Sequence, residues 1–216
     1  YLKFRITTRY ATICKIVCWQ YEQKSQSHVR LSTINAMILV INGTNRQDNK
    51  TSVVSKFVFD WLNENTLSEV KYYSLEELPA LFNLAEMYEA EKQHPQINKI
   101  QDALFIPYKN WIIISPEYNG SYPGILKLLF DALSVRKLPE TFHHKKVGLI
   151  GVSDGRAGNI RGMDHLTAML NYLKMTVYHN KLPISSAKTM IDHGRLQPPT
   201  SKILEDYLTD FTHWLK

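Results

Sequence analysis

Five short runs of aliphatic, β-branched and aromatic residues, each followed later in the chain by a helical segment, constrain this 216-residue chain more than any other feature. Met37-Ile38-Leu39-Val40-Ile41-Asn42 is nearly continuous in apolar residues and stops at Gly43, the pattern of a strand buried on both faces of a parallel sheet. After a polar loop, Val53, Val54, Phe57, Val58, Trp61 and Leu62 recur at helical spacing up to Asn63. The alternation then repeats. Val70 to Tyr73 is a second strand, Ile97 to Phe105 a helix, Trp111 to Ile114 a third strand and Ile125 to Leu133 a helix. Val147 to Val152 is a fourth strand, Ile160 to Leu173 a helix, Met175 to Tyr178 a fifth strand and Ser201 to Leu215 a closing helix. Strands separated by helices imply right-handed crossovers and an α/β three-layer sandwich around a five-stranded parallel sheet.

Five strands in this alternation resemble the flavodoxin-like order 2-1-3-4-5. Two stretches fit the scheme less well. Ser74 to Gln96 is rich in Leu and Glu and reads as a loop with a short helix. Asn180 to Thr200, with Pro183, Gly194, Pro198 and Pro199, is long for a connection, which makes it a candidate lid or subunit-contact segment.

Composition matters mainly through its uneven distribution. The net charge is +6, yet residues 1 to 36 hold Lys3, Arg5, Arg9, Lys15, Lys24 and Arg30 against Glu22 alone, so the rest of the chain is close to neutral. A basic footprint for a polyanion belongs on a face of the folded domain, and nucleic acid is therefore not an expected partner. No run approaches the ~18 apolar residues of a membrane span, since Trp111 to Ile114 stops at Ser115-Pro116, so no membrane partner is expected either. Both cysteines, Cys14 and Cys18, lie in the first 36 residues, and no zinc spacing follows them. A domain without thiols suits a reducing, cytoplasmic compartment. Lys15 splits the only apolar run of residues 1 to 36, which does not read as a secretory signal. The division expected is an N-terminal extension over 1–36, foreign or upstream to a start at Met37, and one domain over 37–216. The rival reading makes the extension a native element that covers a surface or a partner chain.

Ligands of open α/β sheets bind beyond the carboxyl ends of the strands, near the point where strand order reverses. The loops after strands one, three and four occupy that position. Gly43-Thr44-Asn45-Arg46-Gln47-Asp48-Asn49-Lys50-Thr51-Ser52 brings hydroxyls, amides and a guanidinium to a helix N-terminus, a cradle for phosphate; alternatively, Thr51 or Asn49 only caps the helix. Ser115-Pro116-Glu117-Tyr118-Asn119-Gly120-Ser121 can hold a rigid turn with an aromatic face for a flat ring, or be an ordinary turn before Pro123-Gly124. Ser153-Asp154-Gly155-Arg156-Ala157-Gly158-Asn159 allows close approach of backbone to a ligand, or is a flexible loop with a solvated Arg.

Taken together, these loops resemble those of the NADPH-dependent FMN reductase family of flavodoxin-like proteins. The likeness rests on Gly43-Thr44-Asn45-Arg46 with Asn49-Lys50-Thr51, on Pro116 to Ser121 with Pro123-Gly124 and Lys127, and on Gly155-Arg156-Ala157-Gly158. It covers about residues 37 to 180. Asn49-Lys50-Thr51 departs from the common Ser-Asn-Thr, and Asp154 stands where a small residue is usual. The resemblance implies an FMN-dependent oxidoreductase that takes electrons from NADPH or NADH and passes two at a time, by a ping-pong scheme, to a small-molecule flavin, quinone, azo or similar acceptor. It implies that Thr44, Asn45, Arg46, Asn49, Lys50 and Thr51 hold the phosphate. Pro116, Glu117, Tyr118, Asn119 and Gly120 border the isoalloxazine on one side, and Ser153, Gly155, Arg156 and Gly158 on the other. The flavin carries the chemistry, with no catalytic side chain and no metal, and a homodimer or homotetramer is expected.

The rival from another class is a flavodoxin-type electron carrier that binds FMN without oxidising NAD(P)H, and such carriers need an acidic docking surface that a near-neutral domain lacks. A third is a scaffold without flavin. His143-His144 beside Lys145-Lys146 reads as a solvated loop, and His165, His179 and His193 lack metal-ligand spacing.

Overall fold

A computed structural model describes residues 35–78 and 88–216. Residues 1–34 of the expected extension, with Cys14 and Cys18, and part of the Leu/Glu-rich stretch therefore lie outside the described residues. Strand β1 (Met37–Asn42) is followed by helix α1 (Lys50–Asn65) and β2 (Glu69–Ser74). Helix α2 (Pro95–Ile100) leads to β3 (Asn110–Pro116), and α3 (Gly124–Val135) and α4 (Leu138–Phe142) to β4 (Lys146–Val152). Helix α5 (Ile160–Tyr172) precedes β5 (Thr176–Val177) and β6 (Leu182–Ile184). A short α6 (Ala187–Met190), the strands β7 (Ile191–Asp192) and β8 (Arg195–Leu196), and α7 (Pro198–Trp214) complete the chain. The main sheet has the order β2-β1-β3-β4-β5, the flavodoxin-like arrangement, with all these pairings parallel.

Side-chain parity along the strands explains the three layers. Leu39 and Ile41, Trp111 and Ile113, and Val147 and Leu149 face one core, shared with α3, α5 and the α2 region. Their neighbours Ile38 and Val40, Ile112 and Ile114, and Ile150 and Val152 face the other, closed by α1 and α7. Alternate residues of a strand point to opposite faces, so a run apolar at every position is covered twice. Helix α1 turns Val54, Val58, Trp61 and Leu62 inward, as the spacing predicts.

Two elements differ from the sequence reading. The helix expected over Ile97 to Phe105 starts at Pro95, with the His94 ring accepting from the Gln96 N–H, and widens into a π-type turn over Gln101–Phe105. The fifth strand is interrupted. β5 pairs Thr176 and Val177 with Lys146 and Val147, and β6 resumes beside Ile150 to Val152. Between them Tyr178 still donates its N–H to the Val147 carbonyl at 2.8 Å, while its ring packs against Tyr207, Phe211 and Trp214. Of the segment expected to be irregular, Leu182 to Ile184 return to the sheet, and the remainder holds α6, the separate β7–β8 pair and the start of α7.

The reading of the His143-to-Lys146 stretch as solvated fails at one residue. His144 is exposed, but Lys145 is fully buried. Its Nζ donates to the carbonyls of Phe105, Ile106 and Tyr108, the last two at 3.0 and 3.1 Å, and lies 5.1 Å from the centre of the Trp111 ring. The wide turn directs several carbonyls at one point, and an ammonium with three donors answers them. Burial pushes the Lys145 ammonium down to about 7. Because the unfolded side chain keeps its proton up to about pH 10.4, the unfolded chain binds more protons between those values, and stability rises with pH across that window. Lys145→Met removes this component and leaves the carbonyls without a donor, at a cost of about 1–3 kcal/mol near neutral pH. Urea unfolding of both proteins near pH 7 and pH 9.5 checks it: parallel pH dependence in the two would refute the assignment.

Among the described residues no helix is long and apolar enough to cross a membrane.

Candidate functional site

At the carboxyl ends of β1, β3 and β4 the chain leaves the sheet in three loops that enclose a cavity of about 560 Å³, open to solvent. β1 is flanked by β2 and β3, so the cavity lies where the strand order reverses.

The first loop is held by an amide. Asn49 is the N-cap of α1: its Oδ1 accepts from the Ser52 N–H at 2.7 Å, while its Nδ2 donates to the Arg46 carbonyl at 2.6 Å and to Glu76 after β2. Between the two capping candidates, Asn49 or Thr51, the geometry selects Asn49. Helix geometry gives the N–H groups of Lys50 and Thr51 no intrahelical acceptor, and they stand at the positive end of the helix dipole. Thr44 is buried; its hydroxyl accepts from the Arg46 N–H at 3.2 Å and shares a 3.0 Å hydrogen bond with the Tyr118 hydroxyl.

The second loop is a tight hairpin. Tyr118 and Ser121 exchange backbone bonds of 2.8 and 3.0 Å, with Asn119 at φ 51° and Gly120 at φ 74°. Two consecutive positive φ values define the type I′ turn that Asn-Gly favours. Such a turn uses the N–H groups of Tyr118 and Ser121 and leaves those of Asn119 and Gly120 pointing outward. The Tyr118 ring is fixed at its far end by Thr44, which joins the first two loops.

The third loop is clamped from below. Asn159 is buried at φ 62° and its Nδ2 donates to the carbonyls of Ser115 and Pro116 at 3.0 and 2.9 Å. Farther out, Ser153 N–H donates to Ile184, Ala187 N–H to Ser153 and Ser186 N–H to Gly155, so the loop and α6 form one wall. Gly158, at φ 56°, faces this wall rather than the cavity; a Cβ there would come within 2.6 Å of Pro183.

Of the residues selected from sequence, Thr44, Arg46, Asn49, Lys50, Thr51, Pro116, Glu117, Tyr118, Asn119, Gly120, Ser153 and Gly155 line the cavity. Asn45, Arg156 and Gly158 are not among its lining; the first two are exposed beside it. Asp48, Val152, Asp154, Ala187 and Lys188 line it in addition. Asp48 and Asp154 lay inside loops the sequence had marked. Ala187 and Lys188 arrive only because β6 brings the chain back to the sheet, and no local pattern announces that.

Electrostatically the lining is balanced: Arg46, Lys50 and Lys188 stand against Asp48, Glu117 and Asp154. Lys50 Nζ meets Asp154 Oδ1 at 2.9 Å, and Lys188 Nζ lies 3.9 Å from Asp154 Oδ2. The Lys50 ammonium holds the Asp154 carboxyl below the usual carboxylate range. Among the described residues no cluster of three or more His, Cys, Asp or Glu side chains has metal-site geometry. His165 shares a 2.9 Å hydrogen bond with Ser121 behind the hairpin, outside the cavity lining.

The family model described as NADPH-dependent FMN reductase matches residues 36–189. A protein named NADPH azoreductase from Bacillus sp. (strain OY1-2) is 32% identical over 149 residues, which is 68% of this chain and 72% of that one. An FMN-dependent NADPH-azoreductase from Staphylococcus saprophyticus is 32% identical over 124 residues, 54% of this chain and 60% of the relative. Among solved structures, the flavoenzyme NAD(P)H:(acceptor) oxidoreductase FerB from Paracoccus denitrificans superposes with a TM-score of 0.67 at 18% identity, covering 84% of this chain and 97% of that one. At that identity the superposition speaks to the fold.

Asn49→Ala removes the cap, the tie to Arg46 and the contact with Glu76 together. A lost cap costs about 0.5–2 kcal/mol, so the unfolding free energy should fall by that much and the urea midpoint should fall with it. An unchanged midpoint would mean that the loop does not depend on this amide.

Proposed function

The chain belongs to the NADPH-dependent FMN reductase family, and from that premise we propose that the cavity holds FMN and that the protein passes electrons from NAD(P)H to a quinone, azo compound, free flavin or similar small acceptor. The observation that carries this reading is the donor set at one end of the cavity. Arg46, Lys50 and Thr51 line the cavity on the first-loop side, at the N-terminus of α1. Such a set suits a phosphate monoester and little else of cofactor size. The volume is on the scale of one bound ligand.

In this reading Arg46, Lys50 and Thr51 hold the phosphate, with Thr44 and Asn49 shaping the loop and Asn45 at its exposed edge. The outward N–H groups of Asn119 and Gly120 meet the polar edge of the flavin ring, Pro116 and Glu117 border it, and Tyr118 flanks its face. Ser153 and Gly155 form the opposite wall, with Arg156 at the rim and Gly158 supporting that wall through its contact with Pro183. When bound, FMN supplies two-electron chemistry: NAD(P)H and a proton are consumed in one half-reaction, and the acceptor leaves carrying two electrons and two protons in the other. The protein's part is to orient the ring and to keep the phosphate end saturated with donors. One cavity of this size supports alternate use by donor and acceptor, hence a ping-pong order. The names of the azoreductase relatives support the acceptor class.

A cytoplasmic setting fits a domain without cysteine that depends on NAD(P)H, and assembly as a homodimer or homotetramer fits the family. Light scattering that gives the mass of a single chain would overturn the assembly.

Protein mixed with FMN should show a bound-flavin visible band that NADPH or NADH bleaches without oxygen and that a quinone or azo dye restores. Bleaching by dithionite alone would shift the reading to an electron carrier, and no bound band would refute it. Arg46→Ala removes one charge-assisted bond, worth about 1.5–3 kcal/mol. The FMN dissociation constant should therefore rise by about tenfold or more, while that of riboflavin, which lacks the phosphate, stays put.

A further inference from the structure

Two of the three positions at which this chain departs from the pattern of the family it resembles, Lys50 and Asp154, are bonded to each other. Lys50 is the first residue of α1 and belongs to the wall built by the first loop. Asp154 sits in the loop after β4 on the facing wall, 104 residues away in the chain. Their 2.9 Å ion pair therefore crosses from wall to wall at the phosphate end of the cavity, with both side chains partly exposed at 36% and 48%. A second cation, Lys188 on α6, lies 3.9 Å from the other Asp154 oxygen.

These contacts differ in kind. Asp154 and Lys188 ride on one wall, since backbone hydrogen bonds join Ser153 to Ile184 and Ala187, and Gly155 to Ser186. Lys50 rides on the other. A phosphate monoester entering the α1 N-terminus competes with the Asp154 carboxylate for the same ammonium, because an unpaired carboxylate beside a dianion is repelled. The Asp154 carboxylate already has a hold on its own wall, where the Lys188 backbone N–H bonds to it and the Lys188 Nζ lies 3.9 Å away, so release from Lys50 leaves it partnered.

We propose that Asp154 is an internal competitor for the cofactor phosphate, and that exchange of its partner from Lys50 to Lys188 sets how tightly this protein holds FMN. The proposal rests on the FMN reading of the cavity and adds to it a regulator of cofactor retention. Asp154 acts through Lys50 and so is a positioning residue. Lys188 acts one step farther out, by receiving the carboxylate that the phosphate displaces.

The test is a set of flavin titrations followed by fluorescence quenching, with FMN and with riboflavin, on wild type, Asp154→Asn, Asp154→Ala, Lys188→Gln and the Asp154→Asn/Lys188→Gln double variant. An exposed ion pair is worth about 0.2–1 kcal/mol, so removing the competitor should tighten FMN binding by about two- to fivefold in both Asp154 variants. Riboflavin, with no phosphate to compete, should bind all variants equally. Lys188→Gln should weaken FMN binding by about twofold when Asp154 is present and have no effect in the Asp154→Asn background. Equal weakening in both backgrounds would mean that Lys188 attracts the phosphate directly, and would overturn the partner exchange. Wild-type protein that binds FMN no more weakly than the Asp154 variants, or riboflavin affinities that move in step with FMN, would overturn the competitor role. Wild-type protein that binds neither flavin would instead overturn the FMN assignment, and the proposal with it.

Discussion

Burial of β1, β3 and β4 on both faces is the constraint from which the remaining features follow. A strand apolar at every position has no solvated side, so helices must cover the sheet above and below, and each connection must cross over. The crossovers leave the sheet at the carboxyl ends of the strands, and three of the departing loops converge where the order reverses beside β1. The cavity is in this sense a by-product of packing. Its floor consists of strand ends whose side chains are already fixed between two cores.

Two buried amides carry that rigidity outward. Asn49 binds the first loop to the start of α1 and to Glu76 just beyond β2, and Asn159 binds the third loop to the end of β3. A side-chain amide can donate and accept at once, which lets it tie together stretches of chain that have no ladder in common. The Thr44–Tyr118 hydrogen bond closes the remaining gap between the first and second loops. The polar atoms of the cavity are thus held in register by groups that themselves face the interior, which is how a surface loop acquires the precision a ligand requires.

The fold was legible in the sequence wherever one local pattern decides. Met37 to Asn42 and Trp111 to Ile114 admit few other readings, and Asn119-Gly120 names its own turn. Twelve of the cavity residues were found because loop chemistry beside a strand end is visible in one dimension. What escaped depends on distant partners. Lys145 sits in a His-His-Lys-Lys run that looks solvated, and its acceptors lie 37 to 40 residues upstream. Lys188 reaches the cavity through the pairing of β6 with β4, which resumes after a break of several residues in the edge strand. Gly158 was marked as a place where backbone could approach a ligand closely, whereas the close approach it makes, at φ 56°, is to Pro183.

The interrupted edge strand has an implication for how proteins of this shape diversify. The stretch from Tyr178 to Leu196 is attached to the main sheet chiefly by three paired residues of β6, supplies Ala187 and Lys188 to one wall of the cavity, and turns Tyr178, Ile184, Ala187 and Ile191 into the core closed by α1 and α7. Changes of sequence at its exposed positions can reshape the opening through which a substrate enters, provided those four side chains keep the packing that lets the chain fold. A lineage built on this plan can change what it accepts by editing one margin, and keep the rest of its blueprint intact.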